Sequence, residues 1–302
     1  MKKAYRVAKH CFSIDAGENF PLWPKMEECY GPFEVHNSDS NNRFTITVGD
    51  YTANRDEMQL VYSNMENVKD GFITFSIFND RDNSYYFELR QPHSEVTNAY
   101  LSLNNDFSKA TIKLAGKNDE QWYTFNAAVN LCYLFSTVNY GTLLFHSSAI
   151  EYKGRAYLFL GKSGTGKSTH SRMWLNALNG VTLMNDDHPI VRIWDDGNIL
   201  AYGSPWSGKT RCYKNVQAPL GGIIRIVRAA HNKAVRLSPI QSYASVMTSS
   251  TGLTWDKSFA DNRDATLQRI ISHIPCWNME CLPNEEAAKV CSEAVTSVWD
   301  NK

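Results

Sequence analysis

The sequence predicts an α/β protein in two parts, a β-rich N-terminal domain over 1–117 and an α/β domain over 118–302. The stretch 155–172, RAYLFLGKSGTGKSTHSR, joins an apolar strand, a glycine-rich loop and a helix start. From there to the end, segments of strand and helix period alternate, the mark of an α/β layer. Before residue 117 the patterning is almost wholly period two.

Five short alternating segments, RFTITVGDY, EMQLVYS, GFITFSIFND, YYFELRQ and ATIKLAG, predict antiparallel strands between residues 5 and 114. In the third, Phe72, Thr74, Ser76 and Phe78 share one face, and Ile73, Phe75 and Ile77 share the other, so both faces are expected to be covered. Turns fall at 79–84 (NDRDNS) and 104–106. No catalytic constellation appears in this half. A helix is expected over 119–140, with Trp122, Phe125, Val129, Cys132 and Tyr133 at helical spacing, and it marks the expected domain boundary. Next come a strand over 142–151, a tight turn at 152–154, the strand before the loop, a helix over 167–179 ended by Gly180, and a strand from 181 into Asn185, Asp186 and Asp187. A hairpin over 188–203, a loop (GSPWSGKTR) over 203–211 and an apolar strand over 222–227 follow. The last third reads as helices over 239–250 and 262–273, a strand over 276–282, and a helix over 285–299 capped by Asn284.

Gly161, Gly166, Lys167 and Ser168 stand at the spacing G-x-x-x-x-G-K-[ST]. Glycines at those places let backbone N–H groups curl around nucleotide phosphates. Lys167 is then expected on the β- and γ-phosphates of ATP and the Ser168 hydroxyl on Mg²⁺, with the helix N-terminus aimed at the anion. The expected nucleotide-binding segment comprises Gly161, Ser163, Gly164, Thr165, Gly166, Lys167, Ser168 and Thr169. The alternative is a plain Gly/Ser surface turn.

Phosphoryl transfer to a hydroxyl needs a proton acceptor and a cation beside the phosphates. Asp186 and Asp187 close the next strand after the loop helix, which in a parallel arrangement brings both to the edge that carries Lys167. Adjacent carboxylates point in different directions, so one can serve substrate and the other metal; a solvated Asn-Asp-Asp turn is the alternative. His146, in the strand before the loop strand, is a hydrogen-bonded core residue, a metal ligand or the partner of an aspartate. Lys209 and Arg211, in the 203–211 loop, can bring positive charge to the transferring phosphate, or the loop is only a connection.

The run FHSSAIEYKGRAYLFLGKSGTGKST with the later LMNDD resembles the nucleotide-binding core shared by HPr serine kinase/phosphorylase and ATP-dependent phosphoenolpyruvate carboxykinase, over 142–211, about a quarter of the chain. In both families a histidine precedes the phosphate loop and a strand ending in Asp-Asp follows it. The resemblance implies a P-loop kinase-like ATP-binding core and transfer of the γ-phosphate to a hydroxyl, a serine of a protein or peptide first. It implies Asp186 as the base, and Asp187 and His146 as its partners in a hydrogen-bonded or metal-bound cluster. Lys167 and Arg211 complete the expected catalytic set, and Ser168 and Asp187 the expected metal ligands. A small-metabolite kinase, a carboxykinase-like enzyme and a non-catalytic ATP-binding regulatory module are the other classes. The C-terminal glycine-rich signature of the HPr kinases is missing, so the resemblance does not reach HPr as substrate, the reverse reaction or a hexamer.

Lys plus Arg and Asp plus Glu are equal at 31 each, so no global field points to nucleic acid or an anionic membrane as a partner. The expected partners are ATP and a hydroxyl acceptor, with a second copy of the chain as a further possibility. Seven cysteines without a C-x-x-C pair argue against a disulfide framework and a zinc site. No apolar run has the length of a signal peptide or a membrane span, and a cytoplasmic protein is expected.

Overall fold

The computed structural model describes residues 1–36, 42–51, 53, 55–65, 73–116, 118–252 and 255–299. They form two compact units, Met1–Thr137 and Val138–Lys302. Both are mixed α/β.

The first unit holds strands β1 (Lys2–Val7), β2 (His10–Asp15), β3 (Glu34–Val35), β4 (Asn42–Val48), β5 (Gln59–Ser63), β6 (Thr74–Asn79), β7 (Tyr85–Arg90), β8 (Ala99–Leu103) and β9 (Lys109–Leu114). They make one sheet in the order β3-β1-β2-β4-β9-β8-β7-β6-β5. All five expected segments are strands, but the arrangement is not purely antiparallel: β4 runs parallel to both β2 and β9. A parallel pair needs a crossover. Helix α1 (Trp23–Tyr30), which period-two reading passed over, lies in the one from β2 to β4. In β6, Thr74, Ser76, Ile77 and Phe78 are buried and Phe75 is half-buried, so both faces are covered as expected; Phe72 lies outside the described residues.

Helix α2 (Asn118–Thr137) is where the expected boundary needs correcting. It was assigned to the second domain, yet it packs on β4, β7, β8 and β9 of the first sheet, and the units divide after Thr137. Lys117, the expected boundary itself, lies outside the described residues. The helix is apolar around most of its circumference because it must cover a sheet face. Phe135 meets the rings of Phe87 and Phe107 at 5.7 and 5.1 Å between centroids, and the Tyr133 hydroxyl donates to the Val7 carbonyl at 3.1 Å.

The second unit holds β10 (Thr142–Leu144), β11 (Ser147–Tyr152), β12 (Arg155–Leu160), β13 (Thr182–Asp187), β14 (Ile190–Ile193), β15 (Ile199–Tyr202), β16 (Gln217–Arg228), β17 (Lys233–Arg236) and β18 (Cys276–Cys281). Its helices are α3 (Lys167–Ala177), α4 (Pro239–Met247), α5 (Lys257–His273) and α6 (Glu285–Thr296). The sheet order is β10-β14-β15-β16-β12-β11-β13, with β18 beside β16 and β17 beyond it. The single strand expected over 142–151 is two strands: β10 pairs with β14, whereas β11 lies between β12 and β13. Trp174 of α3 is fully buried in a cluster with Tyr157, Phe159, Ile224, Met279 and Cys291, which binds α3 and α6 to this sheet. Asn284 caps α6 as expected, its side chain accepting from the Ala287 amide.

The packing of α2 predicts that Phe135→Ala costs about 3–5 kcal/mol, the usual cost of truncating a buried phenylalanine. Hydrogen exchange resolved by segment should show that loss of protection in Met1–Thr137 while the second unit keeps its own; loss confined to the second unit would return the helix to the expected domain.

Candidate active site

Strand β12 ends at Leu160, the glycine-rich turn occupies 161–166, and α3 starts at Lys167. Gly166, at the N-cap, has φ +115°, a left-handed conformation that a side chain resists. It offers no side-chain cap, so the first amides of α3 are left for another acceptor. The turn is folded on itself: the Thr165 amide and hydroxyl donate to the Lys162 carbonyl at 3.1 and 2.6 Å. Lys167 Nζ donates to the Gly161 carbonyl at 3.0 Å and, among the described residues, makes no ion pair. Burial pulls its pKa below the ordinary lysine value, against the opposing charges of Asp187 and Asp186. Ser163, Gly164 and Thr169 are exposed. Arg228, at the end of β16, donates to the carbonyls of Gly164 and Thr165 and ties that strand to the turn.

The acidic pair reaches the same edge through β11. Ser147 pairs with Leu160 on one side and with Asp187 on the other, so β12 and β13 run in one direction with a single antiparallel strand between them. The Ser168 hydroxyl donates to Asp186 Oδ1 at 2.9 Å. Asn185 and Asp186 are buried within β13, so a solvated turn does not describe them. Asp187 has φ +152°, a backbone region nearly confined to glycine, and is held there by pairing with Ser147 and with Ser207. Its carboxylate sits between two histidines: His188 Nδ1 is 3.1 Å from Oδ2 and His146 Nδ1 is 3.5 Å from Oδ1. Burial raises the Asp187 pKa, but the hydrogen bond and charge of His188, the charge of His146 and that of Lys167 outweigh it, and the net shift is downward. His146 is also lowered, first by burial and then by Lys167, with Asp187 pulling the other way.

Asn185 organises the loop over this pair. Its Oδ1 accepts from the His188 amide at 2.9 Å, and its Nδ2 is within 3.4 Å of the carbonyls of Ser204, Trp206 and Cys212. The Gly208 amide donates to the Asp186 carbonyl at 2.8 Å, and a Cβ at Gly208 would meet Asp187 Cγ at 3.3 Å, so the loop backbone lies against both aspartates. Lys209 and Arg211 are exposed on this loop.

Four residues here were not singled out from the sequence. His188 follows the acidic pair directly, and the run Asn-Asp-Asp-His was the available signal. Arg225 interrupts an apolar strand, and a charge in such a run is itself a signal. Its guanidinium donates to the hydroxyls of Ser245 and Thr248 at 2.7 and 2.8 Å, and the Ser249 carbonyl accepts from the His146 amide at 2.8 Å. Arg225 thus holds the segment that holds His146. Arg228 carries no sequence signal, since the carbonyls it meets are more than 60 residues away in the chain, whereas His170 stands four residues before Trp174, whose indole N–H donates to its Nε2 at 3.1 Å, a helical spacing that was legible.

The residues fit an Mg²⁺–nucleotide triphosphate tail: uncapped amides, one lysine resting on a neutral carbonyl, and a serine hydroxyl against a carboxylate. Among the described residues no group of three or more His, Cys, Asp and Glu side chains can hold a metal by itself. Mg²⁺ does not need one, since it is commonly held by one or two side chains plus phosphate oxygens.

No family model matches the chain, and no curated protein matches it in sequence. A solved structure to which it is similar is the HPr(Ser) kinase/phosphatase from Coxiella burnetii, at a TM-score of 0.31 and 12% identity, over 51% of this chain and 97% of that one. No helix among the described residues is long and apolar enough to cross a membrane, and none of the seven cysteines is in a disulfide.

The cluster predicts a titration. His146, followed by NMR, should titrate below the ordinary histidine value of about 6.5. Lys167→Met should raise its midpoint and Asp187→Asn should lower it further. Since the folded value is the lower one, the stability tied to neutral His146 is complete above about pH 6.5 and is lost as pH falls through the folded value. Insensitivity to both substitutions would separate His146 from the cluster.

Proposed function

We propose that the chain is an ATP-dependent phosphotransferase that moves the γ-phosphate to a hydroxyl, with a serine of a protein or peptide as the acceptor class. The observation that carries this reading is the Ser168–Asp186 hydrogen bond of 2.9 Å, which brings the glycine-rich loop and the acidic pair into one site. The amides of 163–168 and Lys167 bind the phosphate tail. Mg²⁺, when bound, neutralises phosphate charge. Ser168 and Asp186 are the groups proposed to hold it.

This divides the carboxylates differently from the expectation that Asp186 is the base and Asp187 the metal ligand. Asp186 is engaged by the metal-side serine, whereas Asp187 is oriented by His146 and His188. We therefore assign Asp187 to the acceptor. Its carboxylate takes the hydroxyl proton as the acceptor oxygen bonds to the γ-phosphorus and the bond from that phosphorus to the β–γ bridging oxygen breaks, releasing ADP. Arg211 remains a proposed contact to the transferring phosphate, from an exposed loop position.

Labelled ATP incubated with the protein and seryl peptides or cell extract should put γ-phosphate on serine. Asp187→Asn should slow transfer by roughly 100-fold or more with Mg²⁺·ATP affinity nearly intact, and Asp186→Asn should weaken Mg²⁺·ATP as well. The reverse pattern restores the roles expected from the sequence. Label in small molecules alone identifies a metabolite kinase, and nucleotide binding without any transfer identifies a regulatory module. Lys167→Ala should weaken ATP binding about 10- to 100-fold, as loss of a charged phosphate contact does; unchanged affinity in calorimetry of the folded variant would remove the nucleotide assignment.

A further inference from the structure

Two serines pair with Asp187 across neighbouring segments, and burial separates them. Ser147 of β11 is fully buried, whereas Ser207, in the loop over the site, is only half-buried. The Gly208 amide donates to the Asp186 carbonyl at 2.8 Å, the bond that flanks a non-hydrogen-bonded antiparallel pair of Asp187 with Ser207. Side chains directly opposite in such a pair lie on one side, with Cβ atoms about 4.5–5.5 Å apart. A hydroxyl is thus held beside the carboxylate assigned to the acceptor.

The loop presents this serine from fixed ends. Trp206 just before it and Cys212 after it are buried, and their carbonyls accept from Asn185 Nδ2 at 3.2 and 3.4 Å. Between them Gly208, Lys209, Thr210 and Arg211 are exposed, which leaves room on the solvent side for a group added to Ser207. The Ser207 hydroxyl shares its one hydrogen between the carbonyls of Asp186 and Thr210, at 3.2 and 2.5 Å, so its oxygen keeps its lone pairs. Rotation about χ1 moves that oxygen between staggered positions without moving the loop backbone.

Resting on the phosphotransferase reading above, we propose that Ser207 is an acceptor within the chain itself, and that the protein phosphorylates its own site loop in cis. The Ser207 oxygen bonds to the γ-phosphorus of ATP, the bond from that phosphorus to the β–γ bridging oxygen breaks to release ADP, and the hydroxyl proton goes to the Asp187 carboxylate. Ser147 cannot take this role, because a fully buried hydroxyl has no room for a phosphate. Lys209 and Arg211, in the same loop, bring positive charge to the product phosphate, which otherwise lies beside two carboxylates.

The test incubates the full chain with γ-labelled ATP and Mg²⁺, alone and beside seryl peptides, and maps the phosphate by mass spectrometry. Wild type should take up label on Ser207 with a half-time that does not change when the protein is diluted, as transfer within one molecule requires. Ser207→Ala should remove the label and Thr210→Val should keep it, while Asp187→Asn should slow its uptake roughly 100-fold. Labelled peptide beside an unlabelled chain, label on a residue other than Ser207, or a half-time that lengthens on dilution would overturn the proposal and leave the phosphotransferase reading standing. If neither chain nor peptide takes up label, that reading falls and this inference with it.

Discussion

The site depends on the register of β11. This strand is intercalated between β12 and β13, and its first residue, Ser147, faces Leu160 and Asp187 at once. A shift by one residue would turn every β11 side chain to the opposite face and carry the acidic pair away from the loop. Two strand spacings of about 4.8 Å separate the ends of β12 and β13. Helix α3 spans that gap. Its Ser171 hydroxyl is hydrogen-bonded to Ser148 of β11 at 2.6 Å, and one turn earlier its Ser168 hydroxyl reaches Asp186. The same helix is anchored at its far end by Trp174 in the apolar cluster, so the position of the loop serine is set by core packing as much as by the loop itself.

Charge in the site is arranged so that no partner is consumed in advance. Lys167 rests on a carbonyl, which a phosphate can displace without breaking an ion pair. Asp187 is ionised between two histidines, and Asp186 accepts from a neutral hydroxyl. The buried group that organises the loop above them, Asn185, is an amide and brings no further charge beside two carboxylates. Burying an amide is costly unless it is hydrogen-bonded, and here both ends of the group have partners. That satisfied network explains how an irregular loop with glycine, proline and tryptophan can lie against the aspartates in a fixed conformation. The strained backbone of Asp187 persists because pairing on both sides over-determines it.

The glycine-rich loop, the acidic pair and His146 were legible because each carries a local signature: glycine spacing, adjacent carboxylates, a histidine in an apolar strand. Most strands and the cap of α6 were legible for the same reason, since period-two alternation and an Asn before Glu-Glu are local physics. Arg225 and Arg228 were passed over because each acquires its role from residues distant in sequence, whereas His188 and His170 have near partners, Asp187 and Trp174, and were missed in spite of a local signal. Arg228, for instance, meets the loop carbonyls from a strand more than 60 residues away. The boundary was misplaced because a change of period shows where a helix begins and not which sheet it covers. Helix α2 is apolar enough to pack on either neighbour, and the contacts of Phe135 and Tyr133 decide for the first.

By itself, then, the sequence determined the class of elements and the chemistry they can carry, because strand period, helix period and loop composition are set by nearest neighbours along the chain. Only the tertiary structure decided that one expected strand divides into β10 and β11, that β11 inserts between the loop strand and the acidic strand, and that the two aspartates face different partners. Those choices depend on strand order and register. They are fixed by the combined burial of side chains contributed from distant parts of the chain, which no local pattern encodes.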